Sequence, residues 1–256
     1  MKLEKLGEEN GTLALRVSDT TAAYINTLRR YITAKVPTMA IDFVELKTNN
    51  SILYDEMVAH RLGLIPLTTD LETYTLPKEE WTEPTGDPRV EVQLTLSVPK
   101  VKQTTVVKAK ELVSKDKKIT PVHTDMPIAK LVEGQDMELI ATARLGIGEE
   151  HSKWSPGHVW YKHYPHITIT TQPKDPQEIA NQYPKLFEVK NNKLAIKQAH
   201  HMPDRPIDGI TVEQKDGDYV LFVESFGQLS PQEMITQALT VYDQQLDEFA
   251  ELSKTL

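Results

Sequence analysis

The chain has 256 residues, 39% hydrophobic and 26% charged, enough apolar material to bury a core and too much for a wholly disordered chain. It contains no cysteine, which removes disulfides, thiol nucleophiles, iron–sulfur ligation and cysteine-type zinc sites together. Its net charge of -8 lacks the basic footprint of a stand-alone nucleic-acid binder, so any contact with DNA or RNA is expected to be local or indirect rather than sequence-specific.

The longest apolar stretch, residues 219–223, falls far short of the ~20 residues needed to span a bilayer. The start has acidic residues and no apolar signal core, which predicts no membrane association and a cytoplasmic address. Segments 3–6 and 13–17 flank Glu9-Asn10-Gly11, and Asn-Gly between alternating segments predicts a β-hairpin. Ser18 or Asp19 can cap a helix whose Ala22, Ile25, Leu28 and Ile32 recur at helical spacing until Pro37. A strand over 41–46 and a short helix over 51–62, stopped by Gly63 and Pro66, follow.

Three prolines, a glycine and four acids within 76–88 mark a loop or linker. Perfect alternation over 90–98 predicts a half-buried strand, with further strands over 104–109, 137–145 and 167–171. A second Pro-rich stretch at 172–176 marks a boundary, followed by a helical turn over 177–181 and a hairpin over 187–196 turning at Asn191-Asn192. Segments 210–214 and 219–224 around Asp216-Gly217 predict another hairpin. Ser230-Pro231-Gln232-Glu233 fits a capping box with proline at the first helical position. In the helix it opens, Ile235, Leu239, Tyr242, Leu246 and Phe249 are spaced 4, 3, 4, 3, a seam that packs either on its own domain or on a helix of another subunit.

Candidates for chemistry are few. His151, His158, His163 and His166 lie at intervals of 7, 5 and 3, which match no metal motif with a mechanism behind it, and their Trp and Tyr neighbours suit packing or contact surfaces. His200-His201 on an extended backbone would point to opposite faces. Gly146-Ile147-Gly148 lacks the third glycine of a dinucleotide fingerprint and runs into Glu149-Glu150, which would repel phosphates. Asp55-Glu56 and Glu149-Glu150 are ordinary solvated carboxylate pairs. No set of nucleophile, base and orienting group is visible. Arg29, Arg30 and Arg61 form a modest basic group, either ion-paired on a solvated face or in contact with a partner. Composition and spacing thus lead to a multi-domain α+β interaction scaffold; the alternative is a histidine-metal-dependent cytosolic enzyme built on residues 151–166.

Two blocks of sequence resemble a known family. Asn26-Thr27-Leu28-Arg29-Arg30 and Val36-Pro37-Thr38-Met39-Ala40-Ile41-Asp42 are similar to the opening helix and strand of the alpha-type assembly subunits of RNA polymerase, which include the bacterial alpha amino-terminal domain. Asn50-Ser51-Ile52-Leu53-Tyr54-Asp55-Glu56 and Ala59-His60-Arg61-Leu62-Gly63-Leu64-Ile65-Pro66-Leu67 look like the archaeal D-type members of that group and their eukaryotic third-subunit counterpart. His151-Ser152-Lys153-Trp154-Ser155-Pro156 and Val223-Glu224-Ser225-Phe226-Gly227 extend the match along the chain.

The resemblance implies an α+β fold in three parts: a discontinuous dimerisation domain (1–45 and 215–256) of hairpins plus two helices, a strand-rich insert domain (46–171 and 210–214), and a small ferredoxin-like domain (172–209). It implies a non-catalytic scaffold of DNA-directed RNA polymerase, a nucleotidyltransferase complex, with no active site of its own. Subunit L would pair with it through Ile25, Leu28, Ile32, Ile235, Leu239, Tyr242, Leu246 and Phe249, forming a platform for the large catalytic subunits. Subunits N and P and the second-largest subunit are further implied partners, the last through Arg29, Arg30, His60 and Arg61. The small domain is similar to one that holds an iron–sulfur cluster in some relatives, yet Tyr183 stands where a cysteine would. The loop over 81–90 resembles the place of a zinc site in eukaryotic relatives and also has no cysteine. No cofactor is therefore expected.

Overall fold

A computed structural model describes residues 1–77, 81–203 and 205–254. Part of the predicted linker, residues 78–80, lies outside the described residues. The first half of the chain forms β1 (Lys2–Glu9), β2 (Thr12–Ser18), α1 (Ala22–Ala34), β3 (Thr38–Asn49), α2 (Asp55–Gly63), β4 (Glu91–Val98), β5 (Thr105–Lys108) and β6 (Val113–Ser114). The second half forms β7 (Pro127–Leu131), β8 (Met137–Gly146), β9 (Gly157–Ile169), α3 (Pro176–Gln182), β10 (Phe187–Lys190), β11 (Lys193–Ile196), β12 (Ile210–Ser225) and α4 (Pro231–Ser253). The fold is α+β, with mostly antiparallel sheets. Two compact units emerge, Met1–Arg29 with Val159–Glu224, and Arg30–His158 with Ser225–Leu256.

The first unit holds a four-stranded sheet in the order β1-β2-β12-β9. β1 and β2 are joined as predicted: Asn10 and Gly11 both take positive φ, 50° and 79°, as a type I′ hairpin turn requires. The hairpin expected around Asp216-Gly217 does not form. Residues on both sides of Gly217 lie in the single strand β12, which stands between β2 and β9, and β2 takes up residues 218–224 that a local hairpin would need. Gly217, at φ 86°, bends the strand there, and its carbonyl accepts the Thr20 N–H at 3.3 Å. β9 likewise begins ten residues before the predicted strand at 167, so His158, His163 and His166 are strand residues rather than loop residues.

The same unit contains a small cluster of α3 with the β10-β11 hairpin, whose Asn191 and Asn192 turn at φ 51° and 58°. Its core is Ala180, Leu186, Phe187, Leu194, Met202 and Ile207. Tyr183 packs against it, edge-on to Phe187 at 6.4 Å with the Arg205 guanidinium 5.5 Å from its ring centre.

The second unit is built on the sheet β3-β8-β4-β6 and the ribbon β5-β7. Alternate residues of β4, Val92, Leu94, Leu96 and Val98, enter its core, as the period-two pattern dictates. Val58 and Leu62, four apart on α2, complete it from the helix side. α2 begins four residues later than predicted, because Asn49 captures the residues before it: its Oδ1 accepts from Ser51 N–H at 3.2 Å and its Nδ2 donates to the Leu53 carbonyl at 2.9 Å. The α1 cap also moves. Ser18 ends β2 and Asp19 sits at φ 57°, so Thr21 Oγ1 accepts the Tyr24 N–H at 3.3 Å. α4 opens with the predicted capping box, Ser230 with Glu233.

Candidate assembly interface

The amino-terminal part of α4 belongs to its own chain: Pro231, Met234 and Ala238 are buried. Tyr242 is the last anchor, meeting the Tyr31 ring edge-on at 4.8 Å, while the Tyr31 hydroxyl donates to Gln245 Oε1 at 2.6 Å. From residue 243 to 254 every residue is exposed. About three turns of helix, residues 243–254, are thus exposed, with the Tyr31–Gln245 hydrogen bond near their start, and that length is too short to be stable in isolation. Its apolar side chains are left to solvent: Leu246 is 48% exposed, Phe249 71% and Leu252 67%. Leu239 is also exposed, and Ile235 and Tyr242 are half-buried, so the predicted seam runs from partly covered to open. Leu252, three residues beyond Phe249, adds an exposed apolar side chain beside the seam, whose next position in the 4, 3 alternation is Ser253.

Ile25 and Ile32, predicted as contact residues, are instead fully buried within the chain. The helical period that defines a partner stripe also defines a core stripe, and here the core takes it. Leu28 is half-buried, Arg29 donates from Nε and a terminal nitrogen to Asn26 Oδ1 at 3.1 and 3.0 Å, and Arg30 is exposed.

A second surface surrounds α2. With Val58 and Leu62 turned inward, the stripe Tyr54, Met57, Arg61 and Leu64 is exposed, and Ile52, 85% exposed, stands beside it in sequence. The spacing 3, 4, 3 was legible in the sequence but concealed by its polar member. Arg61 donates to the Pro127 carbonyl at 2.7 Å, and exposed His60 borders a hollow of about 240 Å³ with His151 and Lys153. Asp55 and Glu56 sit in the first turn of α2, where carboxylates favour the helix dipole.

A charged network beneath this surface fixes β3, β8 and the turn Ser152–Trp154. Arg144, nearly buried, donates to Asp42 at 2.8 Å and to Glu150 at 3.2 Å, and Lys153 also donates to Asp42. The Arg144 guanidinium lies 4.4 Å from the Trp154 ring and 5.2 Å from that of Trp81. Burial alone would raise the Asp42 pKa, but hydrogen bonds from Lys153 and Arg144 outweigh it and hold the carboxyl below its ordinary range. The two glycines of Gly146-Ile147-Gly148 serve close packing: a Cβ would stand 2.3 Å from Trp154 at the first and 2.2 Å from the Thr33 carbonyl oxygen at the second.

The histidines have separate tasks. His151 Nδ1 accepts the Lys153 N–H at 3.0 Å, His163 packs on Tyr219 at 4.9 Å, and His166 Nε2 lies 2.9 Å from Asp218. Among the described residues no three His, Asp or Glu side chains are grouped to hold a metal ion. His200 and His201 depart from the expected opposite orientations. They lie on a single 3₁₀ turn, Ala199–His201, which sets their rings 4.2 Å apart. No helix among the described residues is long and apolar enough to cross a membrane.

A strand-rich insert together with an amphipathic helix exposed over its last three turns is the arrangement of a subunit within a larger assembly. A family model described as the RNA polymerase Rpb3/RpoA insert domain matches residues 40–157. Similarity extends well beyond that segment. The DNA-directed RNA polymerase subunit Rpo3 of Methanosphaera stadtmanae is 31% identical over 88% of this chain and 88% of its own length. That of Pyrobaculum aerophilum is 35% identical over 89% and 86%, and that of Thermococcus kodakarensis 34% over 91% and 90%. The chain belongs to the family of archaeal DNA-directed RNA polymerase subunit Rpo3.

Proposed function

We propose that this chain is the D-type scaffold of a cytoplasmic DNA-directed RNA polymerase, a non-catalytic subunit that pairs with subunit L and so forms the platform for the large catalytic subunits. The observation that carries this reading is the uncovered apolar face of α4 beyond Tyr242, which calls for a second polypeptide. In this reading residues 1–45 and 215–256 act as the dimerisation domain, 46–171 with 210–214 as the insert, and 172–209 as a small domain without a cluster. Leu28, Ile235, Leu239, Tyr242, Leu246 and Phe249 face subunit L, joined by Leu252. Arg29, Arg30, His60 and Arg61, with the α2 stripe, face the second-largest subunit, and subunits N and P complete the assembly. In this reading no cofactor takes part: the resemblance puts Tyr183 where a cysteine ligand would stand, and an apolar core in residues 180–207 supports the reading. Co-expression with a candidate subunit L followed by gel filtration tests the pairing. Co-elution at equal stoichiometry is expected; separate elution at micromolar concentration would overturn it.

A further inference from the structure

The sheet of the first unit carries a pocket of about 380 Å³ that the assembly role does not use. That volume lies within the range of sites for small ligands or single large side chains. Its aromatic lining is Trp160 of β9 and Phe222 of β12, whose rings are parallel, 5.1 Å apart at 7°. Small residues keep it open: Phe222 pairs with Ala14 of β2, and at Gly7 of β1 a Cβ would meet nothing within 4 Å. Neither lysine nor arginine lines it, whereas Glu8, Glu9 and Glu224 do. Glu8 is held by Lys5 and Glu9 by Lys185, but half-buried Glu224 makes no ion pair among the described residues. The remaining wall includes His200, whose pKa burial, then the neighbouring His201 and Lys162, push down to about 4, so it is neutral near pH 7 and brings no positive charge to the Glu224 side of the pocket. The Phe222 ring already faces one cation, with the Lys162 ammonium 5.6 Å from its centre.

We propose that this pocket receives a guanidinium group, its plane against Trp160 and its N–H groups donating to the Glu224 carboxylate. A flat cation with a fork of donors satisfies a planar aromatic wall and a carboxylate together, which a point-charge ammonium does less well. The group comes either from an arginine side chain of a partner polypeptide or from a free guanidinium compound.

The test is a titration of the full chain with N-acetylarginine amide, with a neutral-ended Gly-Gly-Arg-Gly-Gly peptide, and with N-acetylcitrulline amide, which keeps the shape and loses the charge. Tryptophan fluorescence is the readout, and Trp160→Phe assigns the signal against Trp81 and Trp154. Saturable binding of the arginine probes is expected, with the citrulline probe weaker by about tenfold or more, the scale of one charge-assisted hydrogen bond. Glu224→Gln should bring the arginine probes down to the citrulline level, and Gly7→Phe should abolish binding by filling the space. Tighter binding of the peptide than of the amide assigns the site to a partner's arginine; equal binding assigns it to a free compound. Citrulline binding as tight as arginine, or an unchanged affinity in Glu224→Gln, would overturn the proposal. Because the titration needs no other subunit, its failure leaves the pairing with subunit L untouched.

Discussion

At the scale of single residues, the network around Arg144 is where charge and packing are most tightly joined. Removing one member of a buried ion pair leaves the other unsatisfied, at a cost of about 3–5 kcal/mol. Arg144→Met should therefore lower the unfolding free energy measured by urea titration by that order, far more than loss of an exposed pair such as Lys5–Glu8. The pH dependence has a definite sign. The folded pKa of Asp42 lies below its unfolded value of 3.8, so its contribution is complete above that value and disappears as pH falls through the folded pKa. Asp42→Asn should flatten the acid limb of stability below about pH 4; an acid limb identical to the parent's would contradict this assignment. Glycines give a sharper contrast. Gly148→Ala drives a Cβ onto a backbone carbonyl and should cost about 1–3 kcal/mol, whereas Gly7→Ala enters open space and should leave the thermal midpoint nearly unchanged. Equal effects at the two positions would show that the close approach at Thr33 is not constraining.

At the scale of elements, α4 divides into a half buried on its own chain and a half exposed to solvent. Leu239→Asp with Leu246→Asp changes exposed positions, so folding stability should move by only about 0.5 kcal/mol per site while binding of subunit L is lost. Met234→Asp is the opposite case, placing a charge in a fully buried position and unfolding the unit that contains it. Circular dichroism melts beside a pull-down separate the two. A double variant that melts normally and still captures the partner would show that the seam is not the contact. The legibility of elements followed the locality of their causes. The Ser230 capping box and the Asn-Gly and Asn-Asn turns depend on residues within four positions and were readable. The Asp216-Gly217 turn was not, because its fate depends on β2, some 200 residues away, which claims residues 218–224 before a local hairpin can close. Burial of Ile25 and Ile32 was hidden for a related reason: periodicity gives a stripe but not which body covers it.

At the scale of the whole molecule, two features fit a scaffold rather than a catalyst. Charge clusters such as Asp42–Arg144–Lys153 sit against tryptophan and hold strands in place, and Leu239, Leu246, Phe249 and Leu252 form an exposed apolar row along α4. The absence of cysteine throughout the sequence places the burden of the small domain on its apolar core. The assembly role is tested most directly by reconstituting the polymerase from separately purified subunits, with this chain present, omitted, or replaced by the Leu239→Asp/Leu246→Asp variant. Gradient sedimentation then reports assembly, and RNA synthesis reports function. The prediction is that the large catalytic subunits co-sediment and transcribe only with the parent chain, which makes no RNA by itself. Assembly and transcription at the full level without this chain, or with the double variant in its place, would contradict its role as the platform.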